Sequence, residues 1–257
     1  MSLLKKLTPG FIRDRYLSVR ARLQDLETSV RHLNTAVDAM LVSPRFAAGE
    51  EIGFNGQHQR KAIFKDLTAA VDFNAIIETG TWIGNTTGFM RQTSGKPVFS
   101  CEVNPRFHAL AKMRLADMDK IHLELKDSRQ FLKGLQKSQP AADTFFVYLD
   151  AHWYDDLPLA EEVDMIGTYW HNYVIMVDDF RVPDDSGYGF DNYGPGKTLD
   201  LSVLQGAIQK HKLAVFFPAA RSSEESGGKC GCVVLASAGS LAQTLSKLPS
   251  LREWKSG

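Results

Sequence analysis

Short apolar runs alternate with amphipathic stretches along most of this chain, the rhythm of strands feeding helices in a mostly parallel sheet. Residues 75–77, the run closing at Phe99-Ser100-Cys101, residues 121–126, Thr144–Leu149 and residues 173–177 predict five strands. Helical spacing marks residues 53–71, 105–118, Ser128–Leu135, 157–169 and 198–211. Residues 213–217 and 230–236, joined by a turn at 221–229, predict a closing hairpin. The expected fold class is therefore α/β, with seven strands and helices on both faces. Residues 180–197 carry no period and are rich in Asp, Gly, Pro and Tyr. A loop of that length inside a compact domain is more often functional than idle.

A different pattern governs residues 1–43. Thr8-Pro9 reads as an N-cap with proline at the first helical position. Apolar residues then recur at Ile12, Tyr16, Val19, Leu23, Leu26, Val30, Leu33, Val37 and Met40, in steps of four and three. That is a heptad seam, and Ser43-Pro44 stops it. The expectation is an N-terminal coiled-coil segment that self-associates, followed by a catalytic domain over residues 44–257. His32 falls off the seam and reads as a solvated surface residue.

Composition narrows the class. Thirty Lys and Arg balance thirty Asp and Glu in 257 residues, so no global field favours nucleic acid or a membrane surface. No apolar run of about 18 residues predicts a transmembrane helix, and the first residues lack the apolar core of a signal peptide. The three cysteines do not have zinc-knuckle spacing. A cytoplasmic protein is the expectation.

Every strand of the parallel half finishes in a carboxylate: Glu78, Glu102, Asp127, Asp150 and the pair Asp178-Asp179. Ligands of open parallel sheets bind outside the carboxyl ends of the strands, so these acids should meet in one crevice. The competing use of a strand-end acid is a helix N-cap. After the first strand, Glu78-Thr79-Gly80-Thr81-Trp82-Ile83-Gly84 makes a tight turn, and Asn85, Thr86 and Thr87 open a helix. Glycine lets a backbone approach a ligand closely, and a helix N-terminus offers free N–H groups. The spacing differs from the G-x-G-x-x-G of dinucleotide enzymes, which weighs against a nicotinamide oxidoreductase. An acid about 20 residues beyond such glycines accepts hydrogen bonds from ribose hydroxyls, and Glu102 has that place.

The segment Glu78-x-Gly80-x-x-x-Gly84 resembles motif I of the class I S-adenosylmethionine (SAM)-dependent methyltransferases, and with the strand order the resemblance spans about residues 54–237. It implies a cofactor site built from Glu78, Gly80, Thr81, Gly84, Thr86, Glu102, Asp127 and Ser128, with the last two near the adenine. Tyr148-Leu149-Asp150-Ala151-His152-Trp153 together with Val177-Asp178-Asp179 resembles metal-dependent O-methyltransferases, particularly the macrocin O-methyltransferase-like group acting on sugars. That likeness implies a Mg²⁺ or other divalent ion on Asp150, Asp178 and Asp179. Mg²⁺ prefers hard oxygen ligands, and a metal-bound hydroxyl is acidified and fixed in place. His152 suits a general base by its near-neutral pKa, or a further ligand, or a structural role. The long loop then covers a glycan or other small-molecule acceptor, with Arg181, Tyr188, Asp191 and Tyr193 touching it. Two other functions compete: a metal-free small-molecule methyltransferase, and a non-catalytic adenosine-binding scaffold organised by the coiled coil. Trp153, Tyr154, Trp170 and Tyr173 read as ordinary core, and Asp155, Asp156, Glu161 and Glu162 as the decoration of a helix start.

Overall fold

The computed structural model of the chain describes residues 9–41, 53–152 and 156–255. The chain divides into two compact units, residues 1–48 and 49–257. The first contains one helix, α1 (Pro9–Leu41). Tyr16, Val19, Leu23, Leu26, Val30 and Leu33 all stand exposed along it. The side chains of Ile12, His32, Val37 and Met40 lie outside the described residues, as do Thr8, Ser43-Pro44, Trp153, Tyr154 and Asp155.

The second unit is built on one eight-stranded sheet in the order β3-β2-β1-β4-β5-β7-β6-β8. The strands are β1 (Ala75–Thr79), β2 (Val98–Glu102), β3 (Ile121–Leu125), β4 (Thr144–Leu149), β5 (Asn172–Val177), β6 (Ala214–Pro218), β7 (Val233–Ala236) and β8 (Leu251–Glu253). The first five pair parallel. β7 inserts antiparallel between β5 and β6. Eight strands replace the expected seven, because β8 pairs antiparallel with β6. Three residues are too short a run to show a period of two.

That period divides the core. Phe145, Val147 and Leu149 of β4 and Ile175 and Val177 of β5 face one side. Phe146, Tyr148, Val174 and Met176 face the other. Both faces of the central strands are buried, which is why they read as continuous apolar runs. The first face is covered by α5 (Ser128–Leu135), α6 (Leu159–Tyr169) and α7 (Leu201–His211), and Trp170 and Tyr173 are buried there. The second is covered by α2 (His58–Ala70), α3 (Asn85–Ser94) and α8 (Ser240–Leu245). α4 (Pro105–Arg114), capped by the Asn104 side chain, follows β2.

The expected helix over 53–71 starts later. Phe54 and Asn55 both take left-handed backbone, φ 51° and 55°, in a turn that ends at Gly56. α2 begins only at His58, and the Glu225 carboxylate accepts from the N–H groups of Gln59 (3.0 Å) and Arg60 (3.2 Å) at its first turn. A carboxylate there satisfies donors that have no helical partner.

Candidate active site

The strand order reverses between β1 and β4, the place where doubly wound sheets open a crevice. Asp150 N–H donates to Thr79 O at 2.9 Å, and Asp178 N–H to Leu149 O at 3.1 Å, so the three strand ends are stitched side by side. Gly80 has φ +87°, and a Cβ there would come 2.3 Å from the Asp150 carbonyl oxygen. Gly84 has φ +83°, with Leu115 Cδ1 2.8 Å from where its Cβ would be. A side chain at Gly80 would strike backbone, and one at Gly84 would strain the left-handed backbone and displace Leu115. The cleft in front of these turns has a volume of about 570 Å³, within the usual range of small-molecule sites. Gly80, Trp82, Glu102, Asp127, Asp150 and Asp179 are among its walls.

At the β1–β2 end Glu102 and Glu78 are held by neutral donors. Glu102 accepts from Trp82 N–H and Asn104 N–H, both at 2.8 Å. Burial pushes its pKa above the ordinary carboxylate value. Glu78 accepts from Thr87 and Ser100 hydroxyls, both at 2.5 Å, while its Oε1 has no partner. Burial raises its pKa to about 7. Asp127 caps α5, accepting from Arg129 N–H at 3.0 Å, and also pairs with the Arg129 guanidinium at 2.7 Å. It is thus both a cap and a wall of the cleft. Thr81 and Thr86, expected at the cofactor, are engaged elsewhere: Thr81 bonds Ser100 Oγ at 2.5 Å, and Thr86 Oγ1 accepts from Phe54 N–H at 3.1 Å.

At the β4–β5 end the structure brings together Asp150, His152 and Asp179, whose ligand atoms lie within 4.8 Å of one another. His152 is buried, and its Nε2 and Asp179 Oδ1 have no hydrogen-bond partner. Burial holds the His152 pKa below its ordinary value, which favours the neutral imidazole. Two carboxylates and a neutral imidazole with unpartnered atoms fit a divalent cation; the nitrogen donor widens the choice from Mg²⁺ toward transition ions such as Mn²⁺. Asp178, expected as a third ligand, is not in this group. Its Oδ1 pairs with the Arg60 guanidinium and also accepts from Asp179 N–H at 2.7 Å, and its Oδ2 accepts from Tyr148 O–H. A carboxylate saturated by a guanidinium, a phenol and a peptide N–H has little left for a metal.

The loop over residues 180–197 folds back across this end. Tyr193 O–H lies 2.9 Å from the His152 carbonyl oxygen and also bonds the Asp191 carboxylate. Arg181 is exposed and stacks its guanidinium 5.5 Å from the Phe190 ring centre. Tyr188 is not on the open face. It is buried in the core, and its hydroxyl donates to Ala220 O at 3.2 Å, because Gly189 bridges to Cys230 and pulls the segment inward. Asn55, Phe107 and Lys126 also line the cleft. Nothing local in the sequence marks them.

The same architecture is found in solved structures. An O-methyltransferase from Bacillus cereus in complex with SAH aligns with a TM-score of 0.53 at 15% identity, over 82% of this chain and 90% of that one. TomG from Streptomyces achromogenes, an O-methyltransferase involved in tomaymycin synthesis, in complex with SAM, aligns with a TM-score of 0.54 at 13% identity, over 81% and 96%. The chain has the methyltransferase fold. At these identities the likeness speaks of the fold alone. No known family profile and no curated protein matches the sequence. Among the described residues no helix is long and apolar enough to cross a membrane.

Proposed function

We propose that this chain is a SAM-dependent O-methyltransferase working with a divalent cation on a hydroxyl of a carbohydrate or glycosylated natural product. The observation that carries the reading is the Asp150, His152 and Asp179 group, of which Asp150 and Asp179 line the same cleft as Gly80 and Glu102. Glu102 is the residue for the ribose hydroxyls, Asp127 and Ser128 stand at the adenine side, and the Gly80–Gly84 turn takes the methionine end. SAM, when bound, supplies an electrophilic sulfonium methyl. A divalent ion, when bound, acidifies and orients a hydroxyl. Asp150, His152 Nε2 and Asp179 would hold that ion. His152 stands in the ligand set rather than as the base, since its unpartnered nitrogen groups with the two carboxylates. Asp191 and Tyr193 orient the acceptor, and Arg181 with Phe190 offers a flat cationic face to it. Alignment of the reacting groups is most of what methyl transfer asks of a protein.

The test is transfer of labelled methyl from SAM to a panel of glycosides and nucleotide sugars, with EDTA and with restored Mg²⁺ or Mn²⁺. Transfer that stops with EDTA and returns with either ion supports the reading. Undiminished transfer in EDTA selects the metal-free enzyme, which the commitment of Asp178 to Arg60 favours. Tight SAM binding with no turnover on any acceptor selects the scaffold. The exposed seam of α1 supports self-association of the chain, and the three free cysteines suit a cytoplasmic setting. Light scattering on Leu23→Asp with Leu26→Asp checks the seam: an unchanged oligomer removes it.

A further inference from the structure

We infer that Arg60 is a positioning residue for the cation site, holding the Asp179 backbone from both sides so that its carboxylate meets Asp150 and His152. The inference rests on the cation reading of that group. Asp179 has φ +48°, a left-handed backbone that a residue with a Cβ keeps only when its surroundings impose it. Five contacts impose it. Asp179 N–H donates to Asp178 Oδ1 at 2.7 Å, and Asp191 N–H donates to Asp179 O at 2.9 Å. The following residue, Phe180, donates its N–H to Gly231 O at 3.0 Å. Arg60 touches both flanks: its guanidinium pairs with Asp178 Oδ1, and its Nη2 donates to Gly231 O at 2.8 Å. The same Nη2 also donates to Cys230 O, which fixes the chain entering β7.

The guanidinium suits this work. It is planar, always charged and able to fork between a carboxylate and carbonyls. Among the described residues Arg60 is the one buried Lys or Arg side chain. It occupies Asp178, so the cation site is left with Asp150, Asp179 and the imidazole.

Mn²⁺ binding to the full chain, followed by electron paramagnetic resonance, tests the inference, with SAM affinity by calorimetry and the melting temperature as controls. The main variant is Arg60→Met with Asp178→Asn, which removes the buried cation and anion together and leaves no unpaired charge. Loss of a residue that orients a ligand weakens metal binding by about tenfold to a hundredfold, and that loss is expected here, with SAM affinity within about twofold. Arg60→Lys keeps the charge without the fork and should weaken Mn²⁺ by about threefold or more. If the double variant does not fold, Arg60→Lys decides alone. Wild-type Mn²⁺ affinity in whichever variant decides makes Arg60 merely structural and overturns the inference. Tighter Mn²⁺ binding also overturns it, since Arg60 would then compete with the ion. A wild-type chain that binds no Mn²⁺ removes the cation site and this inference together; one that binds it, with variants unaffected, removes the inference only.

Discussion

At the β1–β2 end of the cleft, Glu78 and Glu102 accept only from hydroxyls and peptide N–H groups, and both carboxyls respond to burial by rising in pKa. At the β4–β5 end, Asp178 is met by a guanidinium, while Asp150 is pushed well above the carboxylate range by burial and by neighbouring Asp179 and Glu78. The first end has only neutral partners and leaves Glu78 Oε1 unpartnered, so the ligand it suits brings neutral donors such as hydroxyls. The second has more carboxylate than the protein's own cation balances, so it calls for a further cation. Each end can be broken separately.

The largest effect should come from Asp179→Ala. It removes one of two carboxylates from the cation group, and methyl transfer should fall by about a hundredfold or more. SAM affinity should hardly move, because Asp179 follows β5, three strands along the sheet from Glu102 at the end of β2. Calorimetry with SAM alone, beside the transfer assay, checks this. A parallel fall in SAM affinity would show that the two ends are not separable.

The pH dependence of stability follows from the first end. Glu78 has a folded pKa of about 7 against an ordinary 4.5, and Glu162, buried on α6, has the same. Both are raised, so the folded state binds more protons than the unfolded chain between those values. The stabilisation is whole below about pH 4.5 and is lost as pH rises through about 7. At 1.36 kcal/mol for each pH unit, each group contributes up to roughly 3 kcal/mol to that fall. The unliganded chain should melt higher at pH 5.5 than at pH 8, and Glu78→Gln should flatten the difference. An equally steep profile in Glu78→Gln and Glu162→Gln would assign it to other groups.

Glu102→Ala is next. Hydrogen bonds to a charged acceptor contribute roughly 1.5–3 kcal/mol, so SAM affinity should drop by about tenfold or more, with Mn²⁺ affinity unchanged. Calorimetry showing intact SAM binding would take Glu102 out of the site and undo the contrast between the two ends.

Much of this was visible in the chain before its fold. Strands buried on both faces announce themselves as apolar runs, and Thr144–Leu149 and Ser128–Leu135 have the bounds their pattern predicts. The acids of the crevice follow from their positions at strand ends. What the pattern hides are partners distant in sequence. Nothing near Asp178 names Arg60, and nothing near Gln59 names Glu225. A signal existed, though: Arg60 shares the buried face of α2 with Ile63, Phe64 and Leu67, and Glu162 shares that of α6 with Leu159, Val163 and Ile166. A charge on an apolar helical face marks a buried pair or a shifted pKa. Glu162, read from sequence as decoration of a helix start, does lie in the first turn of α6 but belongs to that second kind. Tyr188 misled for another reason, since an aperiodic loop carries no pattern to say which of its tyrosines turns inward.

The two loop tyrosines give the finest test. Tyr193 O–H joins the loop to the His152 carbonyl and to Asp191, whereas Tyr188 O–H bonds Ala220 O within the core. Phenylalanine keeps each ring and removes each hydroxyl. A lost hydrogen bond of this kind is worth about 1 kcal/mol, or roughly fivefold in an equilibrium constant. In Tyr193→Phe that change should fall on the acceptor, raising its KM about fivefold with SAM affinity and melting temperature nearly unchanged, because Asp191 loses the hydroxyl that orients it. In Tyr188→Phe the same energy should fall on stability, lowering the melting temperature by a few degrees with KM unaltered. If Tyr188→Phe raises KM and Tyr193→Phe does not, the loop presents its other face to the acceptor, and Asp191 leaves the acceptor site with Tyr193.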